Sequence, residues 1–138
     1  MKPLTHTQKA KNAIKWIDAL PKHRKTVGRL RRGDKPSEYS YCCLGVGAKV
    51  CKTDDDLAIG YNSYGLVFKA GLLDANGGMS KGVQLGNNAV GSLVGMNDGP
   101  YGKDTDFTRV RKFMLRHLSR IFEPGVAKIL KEHYKTHP

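Results

Sequence analysis

Asp106-Phe107-Thr108-Arg109-Val110-Arg111-Lys112-Phe113-Met114-Leu115-Arg116-His117-Leu118-Ser119-Arg120-Ile121-Phe122 is the stretch whose reading decides the fold. Phe107, Val110, Met114, Leu118, Ile121 and Phe122 recur at the 3.6-residue period of a helix and so share one face. Arg109, Lys112, Arg116 and Arg120 fall on the opposite face at steps of three, four and four. These cations have no carboxylate partner at i+4, and uncompensated like charge within a helix costs roughly 0.2–0.5 kcal/mol per pair. Arg111 is turned toward the apolar side and is expected to escape to solvent at the first turn. The spacing predicts an amphipathic helix over 106–122, buried on one side and basic on the other.

The same logic extends in both directions. Downstream, Pro124 takes a favoured first helical position, and Val126, Ile129, Leu130 and either His133 or Tyr134 supply the inward side of a final helix. Upstream, Ala89, Val90, Leu93, Val94 and Met96 read as a helix capped by Asn87 or Asn88 and ended by the turn Asn97-Asp98-Gly99-Pro100. Asn76-Gly77 is a hairpin signal, with Val83 to Leu85 as its returning strand. Asn62 or Ser63 caps a short helix through Val67, Phe68 and Leu72. The segment Tyr39 to Cys51 reads as a short strand and then a buried helix whose small residues let a neighbour approach closely.

At the N-terminus, Thr5 and Gln8 form a capping-box pattern, followed by Ala10, Ala13, Ile14, Ile17 and Leu20 at helical spacing. Trp16 stands at the edge of that stripe, and Pro21 stops the run. The fold expected from these pieces is α+β: a compact, mostly helical single domain with a small antiparallel β element holding the 39–42 and 72–85 regions. The domain spans 1–138, with a basic N-terminal helix and loop (5–35), a central core (39–100) and basic C-terminal helices (105–135). The 106–122 helix is expected to lie against residues 43–50 and the first helix.

Charge is segregated along the 138 residues. Residues 1–35 carry eleven Lys/Arg against Asp18 and Asp34, a balance of +9. The centre, 36–102, balances at −2, and 103–138 at +5, which gives the whole chain +12. If the two ends fold together they form one positive face, for which a polyanion or an acidic protein is the fitting partner. Arg24, Lys25, Arg29, Arg31, Arg32, Arg109, Lys112, Arg116 and Arg120 are the candidate binding residues. No apolar run approaches a membrane span of about 20 residues, and residues 1–15 are polar and basic without the apolar run of a secretory signal.

Cys42, Cys43 and Cys51 are odd in number, and two are adjacent, which suits free thiols in a reducing compartment better than a disulfide framework. No Cys-x-x-Cys pair supports zinc; His133 and His137, four apart, are expected to face solvent at a fraying end. Asp54-Asp55-Asp56 lacks the alternating ligand spacing of a calcium loop and reads as a solvated turn. Gly45-x-Gly47 with Lys49 lacks the Gly-Lys-Ser/Thr of a phosphate loop and reads as helix packing. No catalytic residue, metal or cofactor is expected.

Trp16, the block Tyr41-Cys42-Cys43-Leu44-Gly45-Val46, the box Leu93-Val94-Gly95-Met96-Asn97-Asp98 and the helix start Asp106-Phe107-Thr108-Arg109-Val110 together resemble a group of small bacteriophage proteins to which no settled activity attaches. The resemblance runs to about Phe122, and the basic second loop and basic final helices depart from that pattern. It implies a phage accessory protein in a host cytoplasm and no catalytic residues. The function expected is non-enzymatic: binding a host protein or nucleoprotein complex, such as a defence machine, through the cationic face and inhibiting it. Direct, largely sequence-independent binding of DNA or RNA is the alternative, and a small cysteine enzyme is the third reading. A partner membrane is not expected, and the pattern fixes no oligomeric state.

Overall fold

Thr5 opens the first helix, α1 (His6–Ala19), with a complete capping box: its hydroxyl accepts from the Gln8 N–H at 3.1 Å, and the Gln8 side chain accepts from the Thr5 N–H at 2.9 Å. The computed structural model describes residues 3–26, 31–53, 65–73, 89–99 and 103–138, which form an α+β domain dominated by helices. Pro21 ends α1 in a single 3-10 turn over Leu20–Lys22. Ala10, Ala13, Ile17 and Leu20 are buried, as their spacing requires. Trp16, expected at the edge of the stripe, is instead wholly enclosed. The correction has a physical cause: α1 is flanked by the second, third and last helices, so its buried arc is wider than one stripe.

The β element is a single antiparallel pair, β1 (Arg31–Arg32) with β2 (Ser40–Tyr41), in the register Arg31↔Tyr41 and Arg32↔Ser40. Gly33 turns the chain between them at φ 115, where a Cβ would stand 2.7 Å from the Glu38 carbonyl oxygen. Tyr41 is also held from its other side: its N–H donates to the Arg24 carbonyl at 2.8 Å, and its carbonyl accepts from the Thr26 N–H at 2.7 Å.

Next comes α2 (Cys43–Val50), in which residues 43–48 are all buried. Its N-cap is the Cys42 thiol, which accepts from the Gly45 N–H at 3.3 Å. Helix α3 (Gly65–Ala70) ends at Gly71, whose φ of +71 favours glycine. The chain then pairs Leu72 antiparallel with Phe122, and Leu73 N–H donates to the Ile121 carbonyl at 2.7 Å. The 72 region was expected to join the β element with 39–42; its partner is instead the C-terminal segment. The Asn76-Gly77 hairpin, the Val83–Leu85 strand, the caps proposed at Asn62, Ser63, Asn87 and Asn88, and the Asp54–Asp56 turn all lie outside the described residues.

The remaining elements are α4 (Ala89–Asp98), α5 (Thr108–Arg116), α6 (Leu118–Ile121) and α7 (Pro124–Thr136). The 106–122 stretch is therefore two helices, broken at His117 (φ −125, ψ 38), and not one. The break serves two different partners. Helix α5 packs chiefly on α4 and buries Val110 and Met114, while α6 packs chiefly on α7 and more lightly on α4 and buries Leu118 and Ile121. The expected contact of this stretch with 43–50 and α1 is thus not its principal one. Helices α1 and α7 run parallel, as His6 and Lys9 meet Glu123 at one end and Asp18 meets Tyr134 at the other. Trp16 lies edge-on to Phe122, with ring centroids 5.9 Å apart, at the centre of the core. Among the described residues no helix is long and apolar enough to cross a membrane.

Candidate cationic interface

The N-terminal basic loop meets the segment just ahead of α5, and it does so through backbone carbonyls. Lys25 N–H donates to the Thr105 carbonyl at 3.0 Å, and its ammonium reaches the Asp104 carbonyl at 3.4 Å. Lys25 is buried, with 8% of its surface exposed, so it leaves the set of surface cations. The reason is local: its main chain is pinned between Tyr41 and Thr105, which draws the side chain inward. Arg24 is exposed and turned to the Ser37 carbonyl, and Arg31 stacks its guanidinium 4.1 Å from the Tyr39 ring centre. Arg32 is exposed, Lys35 is paired with Glu38 at 3.6 Å, and Arg29 lies outside the described residues. Across 31–38 the balance is three bases against Asp34 and Glu38. That 31–38 turn is close to neutral, while exposed Lys22 and Arg24 keep the rest of the described loop positive.

The α5 stripe divides in a similar way. At its start Arg109 pairs with Asp104 at 3.4 Å. Beside them the Asp106 carboxylate accepts from the Thr108 N–H at 3.0 Å, a bond that holds its pKa below the usual range. Arg111 does not escape to solvent: it reaches across to Asp18 at 3.5 Å, and its Nε is buried without a hydrogen-bond partner. Asp18 also accepts from the Tyr134 hydroxyl at 2.8 Å, which ties α1, α5 and α7 together. Further along, Lys112 and Arg116 are exposed with no described carboxylate within 4.0 Å. Arg120, on α6 after the break, is exposed and lies 6.0 Å from the Phe113 ring centre.

A third set of cations is absent from the sequence-based candidates. Lys128, Lys131 and Lys135 are exposed along α7, at the same steps of three and four that mark Arg109, Lys112 and Arg116. That spacing is visible in the sequence, but the final helix announces itself through its inward residues, and its outward ones carry no signal beyond charge. Among described residues 108–136 seven cations are exposed, against Glu132 as the single exposed carboxylate. Glu123 is half-buried and committed to Lys9 at 3.0 Å. An excess of exposed positive charge therefore sits on the C-terminal helices, in addition to the exposed Lys11, Lys15 and Lys22 of the N-terminal region.

The motif blocks of the middle of the chain have a different use. Trp16 Nε1–H donates to the Cys43 carbonyl at 2.8 Å, and Cys43 N–H donates to the Asn97 side-chain oxygen at 3.0 Å. The Asn97 amide in turn donates to the Thr26 carbonyl at 2.9 Å and to Asp98. Asn97 is fully buried at the end of α4, and its side-chain oxygen takes up the first N–H of α2 beside the Cys42 cap. The Tyr-Cys-Cys block, the Asn-Asp box and Trp16 thus form one interior polar knot.

The three thiols are interior too. Burial is the leading cause that pushes Cys42 and Cys51 up from 9.0 to about 12 and raises Cys43 as well. A nucleophilic thiol needs the opposite shift. At pH 8 the thiolate fraction of Cys42 and Cys51 is roughly a thousandfold below that of the unfolded chain, so native alkylation is expected to proceed at the rate of unfolding. Fast labelling of one thiol in the folded protein would contradict this. A raised acid pKa adds stability that is complete below pH 9, the unfolded thiol value, and is lost as pH climbs toward 12. Urea midpoints measured between pH 8 and pH 11 are expected to fall accordingly, since the unfolded chain sheds its thiol protons first. Among the described residues no group of three or more His, Cys, Asp or Glu side chains is placed to hold a metal ion. His133 and His137 stack face to face with centroids 4.5 Å apart, His137 exposed as expected and His133 half-buried.

Comparison with protein-family models, with curated proteins and with solved structures finds no match to this chain.

Proposed function

We propose that this protein is a phage accessory protein, working in the host cytoplasm, that docks without chemistry on a host protein or nucleoprotein complex and inhibits it through its cationic face. One observation carries the reading: exposed Lys112 and Arg116 make no ion pair within 4.0 Å with a described carboxylate, on a helix whose other face is locked into the core. Holding like charges together on a rigid surface is unfavourable for the free protein and becomes favourable when an anionic surface covers them. The phage setting rests on the resemblance of the Trp16, Tyr41–Val46, Leu93–Asp98 and Asp106–Val110 blocks. Direct binding of DNA or RNA is the second reading, favoured by the excess of exposed bases on α5, α6 and α7.

The test is a pull-down from bacterial lysate with the full chain and with its Lys112→Glu/Arg116→Glu/Arg120→Glu variant. The variant is expected to keep its helical circular dichroism and to lose target affinity at least about a hundredfold, because juxtaposed like charges cost several kcal/mol. Equal recovery of a partner by both proteins, or recovery by neither, overturns the reading. Nuclease treatment separates the two forms of it: one stoichiometric protein that survives treatment supports docking on a host complex, and loss of every partner supports bare nucleic-acid binding.

A further inference from the structure

We propose that the ligand of the cationic face is the phosphate backbone of a nucleic-acid duplex, gripped jointly by α5–α6 and by the lysine row of α7. The juxtaposition that carries this is the groove of about 300 Å3 between α6 and α7, where Ser119 faces Lys128 and Lys131. Lys128 and Lys131 line the groove from α7 and Ser119 lines it from α6, while exposed Arg116 and Arg120 stand three residues before and one residue after Ser119 in the chain, outside the groove lining. Glu132, the one exposed carboxylate among described residues 108–136, lines the groove as well. Lysines and a serine hydroxyl are the side-chain types that hold phosphate oxygens and fix position without reading bases.

Charge density selects the partner. Exposed cations spread over three helices need anions repeated along a path, and a duplex supplies one negative charge per about 1.7 Å of axis. The absence of a stacking surface selects the duplex over single strands. Among the described residues of α5, α6 and α7 no aromatic side chain is exposed; Phe113 and Tyr134 are half-buried. Single-strand binders place bases on exposed aromatic rings, and this face offers none.

The proposal rests on the reading that this face is the interface, and it fails separately from it. The experiment is fluorescence anisotropy of the full chain with a short DNA duplex, an RNA duplex and a single strand of equal length, from about 50 to 200 mM salt. Both duplexes are expected to bind more tightly than the single strand, with DNA and RNA distinguished by their relative affinity. Lys128→Gln/Lys131→Gln is expected to weaken duplex binding about tenfold and to flatten the log–log salt slope by about 1.8, near 0.9 for each phosphate that is no longer neutralised. Lys49→Gln/Lys69→Gln, which removes the same charge from exposed positions on α2 and α3, is expected to leave the slope unchanged. The single variants Lys128→Gln and Lys131→Gln, each flattening the slope by about 0.9, guard against a folding defect in the pair. No duplex affinity at low salt, tighter binding of the single strand, or equal weakening by both double variants would each overturn the proposal. A nuclease-resistant protein partner without duplex affinity would remove the phosphate ligand and leave the host-complex reading standing.

Discussion

Trp16→Ala is expected to lower the unfolding free energy by about 4 kcal/mol, within the range for deleting a buried indole. Trp16 is wholly enclosed, edge-on to Phe122 at 5.9 Å, and its N–H bond to the Cys43 carbonyl fixes the start of α2. The indole also explains Gly47. A Cβ at Gly47 would stand 2.7 Å from Trp16 Cε2, a contact that neither ring nor helix backbone can relieve cheaply. Gly47→Ala is therefore expected to cost about 1–3 kcal/mol by overpacking, despite the better helix propensity of alanine. In a Trp16→Leu background the sign should reverse, with Ala at this position returning up to about 1 kcal/mol of propensity. Urea unfolding of the four proteins of that cycle checks the account. An equal cost of Gly47→Ala in both backgrounds would mean that the ring is not what excludes a side chain.

That cycle also marks the boundary of what the sequence discloses. Helix α1 was readable because its signals are local: the Thr5–Gln8 box, the apolar period and Pro21 lie within one short stretch. Pro124 announced α7 in the same way, and the α+β class followed from the sum of such pieces. What stayed hidden depends on partners far along the chain. The break at His117 carries no Pro or Gly to betray it; it goes with a change of main partner, from α4 for α5 to α7 for α6. Leu72 finds Phe122 across 50 residues, which no hairpin rule could indicate. Trp16 becomes central only once α2 and α3 close over α1.

The interface was legible in part for the same reason. The row Arg109, Lys112, Arg116, Arg120 is a local pattern and stands out in the sequence. Its neutralisation at Arg109 by Asp104, the withdrawal of Lys25 and the diversion of Arg111 to Asp18 are tertiary events. Their joint effect is to take Lys25, Arg109 and Arg111 out of the outward-facing set and to leave Lys112, Arg116 and the lysines of α7 as its C-terminal members. Formal charge located a basic chain; pairing decided which of its bases face outward unopposed.

Asn97→Leu is the second substitution with a large expected effect, about 3 kcal/mol, although it replaces one side chain with another of similar size. It leaves the buried Cys43 N–H and the Thr26 carbonyl without partners, and each such orphan costs about 1–3 kcal/mol. The consequence extends beyond stability, because Asn97 joins the N-terminus of α2 to the segment that carries Arg24 and Lys25. Thr26 holds Tyr41, and Lys25 holds Thr105 just ahead of α5. Amide hydrogen exchange is therefore expected to quicken at Cys43 and at Lys25 and Thr26, ahead of global unfolding, while the α1–α7 contact stays protected. Asn97→Asp is expected to be worse than Asn97→Leu at neutral pH, since it sets a second carboxylate against Asp98 and the Thr26 carbonyl with no donor between them. Protonation would restore that donor, so part of the loss should return as pH is lowered, a recovery that Asn97→Leu cannot show. If instead Asn97→Leu unfolds within about 0.5 kcal/mol of the native chain, the usual range for inconsequential sites, the buried amide is not the latch between α2, α4 and the basic loop.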